Sequence, residues 1–352
     1  MTCPYSYKLR YIDKESERDT SIYAPFGSAI HEALEDYYEG KIQFEQIAER
    51  FEVSVFELLS IAEKKFNNSD EEKNEAIETK YLACLRHFAK NHKRMADKVA
   101  NEKFVLTKLV KGDQSEYFMG YIDAVHKEKD GTVIITDYKT STKYSGEKIK
   151  ENGSQLVLNS IGISQMFKVP ITSIKARWNF LKYLTIKYKL KNKKDKETIA
   201  ERHKWVATLE TNLRMKLKDA GYNELESETL VLRAISENTL DCIPEAIRNT
   251  YTFDDAYVYV DLSPVSINNT VDMLFDNINE IRLHEVNPTE DSFNKEVTDK
   301  DSYFCSQLCG YSHMCPYYKK YIDDRAMFLN ENLSSTDNTS KTETDLSWLN
   351  DL

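Results

Sequence analysis

The sequence of 352 residues predicts an α/β fold, in which a mixed central sheet carries flanking helices. Three observations lead to this prediction: helical periodicity dominates before about residue 100, strand-like runs follow it, and a helical pattern returns after the third run. The length suits one large domain or two modest ones, with a core that needs no disulfide support.

The helical part begins with an apolar stripe opposed by charged residues, which predicts a helix from Phe26 to about Tyr38. Residues 44–66 and 71–99 are predicted as two more helices, because apolar residues recur in them at helical spacing. Together they form a helical insertion at about residues 40–100 of the domain.

Strand patterns then replace the helical ones. Residues 104–110 and 117–125 are predicted as strands joined by a turn, and residues 132–137 as a third strand that is apolar enough to be central. A turn signal at residues 129–131 indicates that the second and third strands form a hairpin.

The rest of the chain mixes both patterns. Residues 153 to about 167 predict a helix behind the sheet, residues 174–190 a long strand pair or ribbon, and residues 191–220 a charged helix. The ordered domain is expected to cover residues 1–328, and the polar residues 329–352 are expected to form a disordered acidic tail.

Composition and charge are those of an ordinary globular protein. Apolar residues make up 41% and charged residues 30% of the chain, and the net charge of −10 disfavours a protein that coats nucleic acid. A nuclease is not excluded, since a phosphate chain responds to local fields and bound cations. No apolar run approaches the ~20 residues that span a bilayer, and the amino terminus does not resemble a signal peptide. We therefore expect a cytoplasmic protein without a membrane partner.

Two acidic residues and a lysine in neighbouring strands form the strongest chemical pattern. Hairpin-linked strands can bring Asp123 and Asp137 to the same end of a sheet, where two carboxylates suit Mg²⁺ or Mn²⁺. Lys139 lies two residues after Asp137 and projects to the same face of its strand. There it can polarise an attacking water and stabilise charge on a phosphate. His31 is a further candidate ligand, and Gln155 could orient the water or touch a phosphate.

Each of these residues also has an ordinary structural explanation. An Asp at a strand end is most often a turn former, a helical His is usually a satisfied surface or core residue, and an isolated Asp-x-Lys arises by chance. The combination in order along the chain is what favours a site: Gly27-x-x-x-His31, Gly120-Tyr121-Ile122-Asp123, Ile135-Thr136-Asp137-Tyr138-Lys139-Thr140, and Gln155-Leu156.

These motifs resemble those of the RecB/AddB branch of the PD-(D/E)XK nuclease superfamily, which includes CRISPR-associated and phage exonucleases. The resemblance implies a restriction-endonuclease-like core and catalysis by Asp123, Asp137 and Lys139, supported by Gln155. It also implies a metal site, with these ligands: His31, Asp123, Asp137 and the backbone carbonyl of Tyr138.

The cysteines form a second pattern. Cys305, Cys309 and Cys315 lie within one short segment, which suggests ligation of a soft metal. Cys3 begins a Cys-Pro-x-x-Tyr motif similar to one at the amino terminus of the family's iron–sulfur members. That resemblance implies a [4Fe–4S] cluster held by these four thiolates, stapling the two chain ends. The family commonly places two residues between the first two carboxy-terminal cysteines, and here there are three. Zn²⁺ is the alternative occupant.

Lysines mark a possible DNA contact. Lys143 follows the third strand, and Lys189, Lys191 and Lys193 belong to a dense basic run with aromatic residues nearby. A ribbon of this kind can track a phosphate backbone and stack bases. The alternative is a solvated edge strand that its lysines keep from aggregating.

We expect a Mg²⁺- or Mn²⁺-dependent deoxyribonuclease, an exonuclease acting on single strands or DNA ends in recombination, repair or replication, in a bacterial or phage-infected cell. No Walker A pattern occurs, so any helicase is a separate partner. The tail ends in a short apolar motif that loosely resembles sliding-clamp-binding peptides, a similarity that also arises by chance. Two alternatives stay open: a non-catalytic DNA-binding or scaffold subunit of a helicase–nuclease complex, and an RNA-processing nuclease.

Overall fold

The computed structural model describes most of the chain and divides it into two compact units. The described residues are 3–18, 22–63, 65–66, 70–96, 98–286 and 292–335, with side chains described to residue 328. The smaller unit is Met1–Ala24, Lys64–Asn74 and Asp272–Leu352, and the larger is Pro25–Glu63 and Glu75–Val271.

A six-stranded mixed sheet forms the centre of the larger unit. Its strands run in the order β1-β2-β3-β4-β5, with β6 also paired to β4. The β3–β4 pair is parallel and the other pairs are antiparallel. With helices flanking this sheet, the predicted mixed α/β fold is confirmed. The strands are β1 (Val99–Lys111), β2 (Gln114–Lys127), β3 (Val133–Lys139), β4 (Ile174–Lys189), β5 (Asp195–Glu201) and β6 (Thr252–Tyr259).

Helices precede, interrupt and follow the strands along the chain. The described helices are α1 (Pro4–Tyr7), α2 (Tyr23–Tyr38), α3 (Ile47–Phe56), α4 (Glu71–Asn91), α5 (Glu147–Asn152), α6 (Ser154–Phe167), α7 (Glu210–Asp219), α8 (Glu224–Glu237), α9 (Glu245–Arg248), α10 (Pro264–Val286) and α11 (Pro316–Ser335). No described helix is both long and apolar enough to cross a bilayer.

Helix α6 packs closely against the sheet. A Cβ on Gly162 would lie 2.3 Å from Thr107 Oγ1 of β1, so only glycine permits this approach. The Thr107 hydroxyl donates to the Leu158 carbonyl at 3.2 Å, which satisfies a buried polar group at the contact. Buried side chains of β3, β4 and α6 join in one apolar cluster there, which fixes the edge at which β3 ends.

The smaller unit brings the two ends of the chain together. The Arg18 N–H donates to the Gly310 carbonyl at 3.1 Å. A Cβ on Gly310 would come within 2.7 Å of the Arg18 carbonyl, so the two segments touch through their backbones. Tyr5 and Tyr317 also pack edge to face, with ring centroids 5.0 Å apart.

Several segments differ from the sequence expectation. The predicted helix over residues 71–99 ends at Asn91, and β1 begins at Val99. Residues 174–189 form one long strand, and the predicted charged helix over 191–220 is wrong at its start, where a turn leads into β5. A run of charged side chains fits an exposed strand as well as a helix, and Lys193 adopts a positive φ in the turn. At the other end, α11 continues to Ser335, past the expected tail boundary, and residues 336–352 lie outside the described part of the chain.

Candidate functional site

Two carboxylates meet where β2 and β3 lie side by side. The antiparallel ladder pairs Ala124 with Thr136, so Asp123 and Asp137 stand at the next position along it. Asp123 is further held by the backbone, because the Tyr138 N–H donates to its Oδ2 at 2.7 Å. The fold therefore places both acids in one small region, as the hairpin signal predicted.

Lys139 lies two residues after Asp137 in β3, and its side chain reaches the Asp137 carboxylate. Its Nζ lies 2.7 Å from Asp137 Oδ2, and both side chains are largely shielded from solvent. Residues two apart in a strand share a face, which is why the Asp-x-Lys spacing produces this ion pair. An ammonium group thus stands beside the carboxylates.

Helix α2 contributes an imidazole to this region. His31 Nδ1 lies 3.7 Å from Asp123 Oδ2, and the His31 ring packs edge to face on Tyr138 at 5.5 Å between centroids. The apolar stripe that predicted the helix, including Ile30 and Leu34, is fully buried and fixes the rotation of α2. His31 is consequently turned towards the strand ends.

Glu102 is a further member of the site that the sequence analysis missed. Its carboxylate, the His31 imidazole and the Asp123 carboxylate offer ligand atoms that all lie within 4.8 Å of one another. Glu102 has φ +42°, which is unusual for a residue with a side chain and places it outside the regular ladder of β1 and β2. No local sequence signal reveals this backbone conformation, so spacing alone could not identify Glu102.

Burial and crowding perturb every ionisable group in the site. Burial raises the pKa of Asp137 to about 6, although Lys139 opposes the shift. Burial also raises the pKa of Asp123 and of Glu102, and it lowers the pKa of His31. The pKa of Lys139 is raised, because attraction to Asp137 and Asp123 outweighs its burial. Several carboxylates held close with one ammonium form an environment that a divalent cation would stabilise.

The converging donor set fits a hard divalent ion. Carboxylate oxygens from Asp123 and Glu102 with the His31 imidazole suit Mg²⁺ or Mn²⁺, with the imidazole favouring tolerance of Mn²⁺. Asp137 does not belong to this group of converging ligand atoms, and its ligand role stays a prediction. Tyr138 lies between Asp137 and Lys139, and a ligand role for its carbonyl stays a prediction.

Other predicted residues lie apart from this group. Gln155 is the second residue of α6 and is exposed, and no described hydrogen bond joins it to the carboxylates. Lys143 follows β3 in a loop and is half-buried. Their proposed roles stay predictions.

The basic run occupies the turn between β4 and β5. Lys189 and Lys191 are exposed. The Nζ of Lys189 lies 3.8 Å from Asp195 Oδ1, and the Nζ of Lys191 lies 3.7 Å from Asp219 Oδ1. Lys139 pairs in register with Phe180, and Lys189 ends the same strand nine residues later, which corresponds to roughly 30 Å. Lys189, Lys191 and Lys193 could therefore contact only a ligand that extends well beyond the carboxylates.

Four cysteines converge in the smaller unit. Cys3, Cys305, Cys309 and Cys315 all line one small cavity, together with the aromatic rings of Tyr5, Phe304, Tyr311 and Tyr318. Burial, reinforced by the neighbouring thiols, raises the pKa of Cys305 to about 12. Cys84 and Cys242 do not line this cavity.

The extra residue between Cys305 and Cys309 is accommodated by a π-turn. Residues Phe304–Leu308 are π-helical, and the Cys309 N–H donates to the Phe304 carbonyl at 2.9 Å. A π-turn holds one residue more than an α-turn between its bonded groups. The longer spacing is thereby absorbed locally, and both thiols still face the shared cavity.

Comparison with known proteins identifies one family. A family model described as the PD-(D/E)XK nuclease superfamily matches residues 1–316, which is most of the chain. No curated protein matches. Among solved structures, "Crystal structure of SSO0001" is similar at 12% sequence identity, over 56% of this chain and 75% of that chain, with a TM-score of 0.19.

Proposed function

Because the chain belongs to the PD-(D/E)XK nuclease superfamily, we propose that it hydrolyses phosphodiester bonds of DNA with Mg²⁺ or Mn²⁺ at Asp123, Asp137, Glu102 and His31. The observation that carries this proposal is the Lys139–Asp137 ion pair beside Asp123 and His31. Such an arrangement supplies a cation site and a positive group next to it.

The residues divide the work of hydrolysis between them. A bound divalent cation would polarise the scissile phosphate and lower the pKa of a water molecule. The carboxylates of Asp123 and Asp137 would hold that cation, and the Tyr138 N–H keeps Asp123 in place. Lys139 orients the water and stabilises the negative charge that develops on phosphate oxygens.

We further propose that the scissile strand is single-stranded where it approaches the site. The β1–β2 hairpin exposes two cross-strand apolar pairs, Phe104 with Tyr121 and Leu106 with Met119. Phe104 lies two residues after Glu102, and Tyr121 lies two residues before Asp123. The Phe104 and Tyr121 rings are 5.4 Å apart, and these four side chains are 43–68% exposed. Unpaired bases can stack on such side chains, whereas a duplex hides its base faces. Action at strand ends, as an exonuclease, is part of the same proposal.

We also propose that a [4Fe–4S] cluster occupies the cysteine site and that the chain belongs to the RecB/AddB branch. Within the described residues, the one group of three His, Cys, Asp or Glu ligand atoms within 4.8 Å of one another is His31, Glu102 and Asp123. No three of the four described sulfurs therefore lie within 4.8 Å of one another, whereas tetrahedral Zn²⁺ with Zn–S bonds of about 2.3 Å separates sulfurs by roughly 3.8 Å. A larger cluster fits the wider spacing. Contact of the tail with a sliding clamp or helicase stays a prediction.

The test compares wild type with Lys139→Met on end-labelled single-stranded DNA, duplex DNA and RNA, in Mg²⁺ and in Mn²⁺. We expect wild type to shorten single-stranded DNA progressively, and Lys139→Met to lose at least 100-fold of that activity. Lys204→Met is the matched control, because Lys204 forms an exposed ion pair with Glu201. Equal cleavage by wild type and Lys139→Met would end the assignment of this site. Preferential cleavage of RNA would transfer the assignment to RNA processing, and binding without cleavage by wild type would favour a scaffold subunit.

A further inference from the structure

The larger unit contains a cavity of about 480 Å³ that is lined by both polar and apolar residues. It lies among the end of α4, the segment after it, β4 and β6. Its wall includes Arg177, whose Nε donates to Thr136 Oγ1 at 3.1 Å. Thr136 and Asp137 are neighbours in β3 and point to opposite faces of the sheet. The cavity is therefore on the other face from Asp137 and Lys139, and its volume is in the range of small-molecule sites.

Arg177 is a buried cation without a carboxylate partner. Arg177 is only 8% exposed. Its guanidinium contacts are neutral: the hydroxyls of Thr136 and Tyr259, each at 3.1 Å, the Met95 sulfur at 3.7 Å, and the Tyr257 ring, 3.6 Å from centroid to guanidinium carbon. No carboxylate of the described residues lies within ion-pair distance of Arg177. A buried charge in this state is stabilised by an anion that enters the cavity.

The acidic groups around the cavity already have partners. Asp255 pairs with Arg202 at 2.7 Å, and Asp254 pairs with Lys187 at 2.8 Å. Glu128 lies 3.2 Å from the His126 imidazole. These carboxylates therefore pair with groups other than Arg177.

Apolar side chains form part of the cavity lining. Trp205 and Phe253 belong to this part and pack edge to face, with ring centroids 4.9 Å apart. Leu184 and Leu240 also belong to it. Such a surface suits a planar, weakly polar body, whereas Arg177 suits a compact anionic head group.

We propose that this cavity binds an organic phosphate with a planar body, of the size of a nucleoside monophosphate. The phosphate pairs with the Arg177 guanidinium, whose planar fork matches phosphate oxygens. The base or an equivalent ring lies against Trp205 and Phe253. This site is independent of the proposed nuclease function, since none of its residues belongs to the carboxylate–lysine group.

Calorimetric titration without divalent cations tests the proposal, because the carboxylate site then lacks its cation. The probes are adenosine 5′-monophosphate, inorganic phosphate and adenosine. We expect the monophosphate to bind at least tenfold more tightly than either fragment. Arg177→Met should weaken it at least tenfold, and Arg177→Lys, which retains the charge, should fall between the two.

Two controls separate loss of the site from loss of the fold. Arg214→Met removes a surface arginine that pairs with Glu210 at 2.9 Å and should bind like wild type. Lys139→Met should also bind like wild type, even if it has lost cleavage. Wild type that binds no monophosphate, or folded Arg177→Met that binds as tightly as wild type, would overturn the proposal. Phosphate that binds as tightly as the monophosphate would refute the role of the apolar part of the lining.

Discussion

Replacing Asp137 with Asn should stabilise the metal-free protein at neutral pH. Burial raises the pKa of Asp137 from 3.8 to about 6, so the folded chain holds this proton more tightly than the unfolded chain. Above pH 6 the carboxylate is charged in both states, and its burial costs folding about 3 kcal/mol at 1.36 kcal/mol per pKa unit. The cost shrinks as the pH falls through 6 towards 3.8, and it disappears below 3.8, where both states are protonated. The pKa shift already includes the attraction of Lys139, so the cost of about 3 kcal/mol remains after the stabilising effect of that ion pair has been counted.

Thermal unfolding in metal-free buffer at pH 8, 6 and 4.5 measures this effect. Asp137→Asn should raise the unfolding temperature by on the order of 4 °C at pH 8, by slightly less at pH 6 and by roughly a third as much at pH 4.5. Mn²⁺ should stabilise wild type but not the variant, since the variant lacks a ligand. Asp113→Asn, in the exposed β1–β2 turn, is the control and should change neither value. A variant that is less stable at pH 8, or equally stabilised at every pH, would refute the reasoning.

Four further predictions concern other parts of the molecule. Glu102→Gln should weaken Mn²⁺ binding about tenfold in calorimetry, and unchanged affinity would remove Glu102 from the site. Cys305→Ser should abolish an iron–sulfur absorbance band at about 400 nm, whereas Cys242→Ser should retain it; a colourless wild type that contains zinc would contradict the cluster. Tyr121→Ala should weaken single-stranded DNA binding by about 1–3 kcal/mol in fluorescence anisotropy, and an equal loss on duplex DNA would argue against stacking. Truncation after Ser335 should leave cleavage of naked DNA unchanged, and lost cleavage would show that the tail does more than tether the enzyme.

The carboxylate–lysine group was predictable because its geometry is local. Asp137 and Lys139 share a strand face through a period of two, and a hairpin between β2 and β3 brings Asp123 alongside. The apolar run of β3 identified it as a central strand, and its side chains from Val133 to Tyr138 are buried. Residues whose positions depend on strand period and short turns can be read from the sequence in this way.

Glu102 could not be found by the same reasoning. Its inclusion depends on a positive φ within β1, between Asn101 and Lys103, which pair with β2 on either side of it. A strand pattern predicts alternation and contains no signal for this local departure. The helix predicted from residue 191 onwards was wrong for a related reason, since exposed charged residues suit a helix and a hairpin equally well.

Contacts within the chain fix the position of one oxygen of each acid. Asp123 Oδ2 accepts the Tyr138 N–H, and Asp137 Oδ2 pairs with Lys139. These partners are adjacent in β3, so the same short strand orients both carboxylates. The second oxygen of each acid is then left for a cation, which would meet a site already in position and would gain affinity by avoiding rearrangement. Shifting β3 by one residue would exchange the faces of Asp137 and Tyr138 and separate all of these groups at once. Residues that fix the register of β3 against β4, although distant from the chemistry, therefore determine whether the site exists.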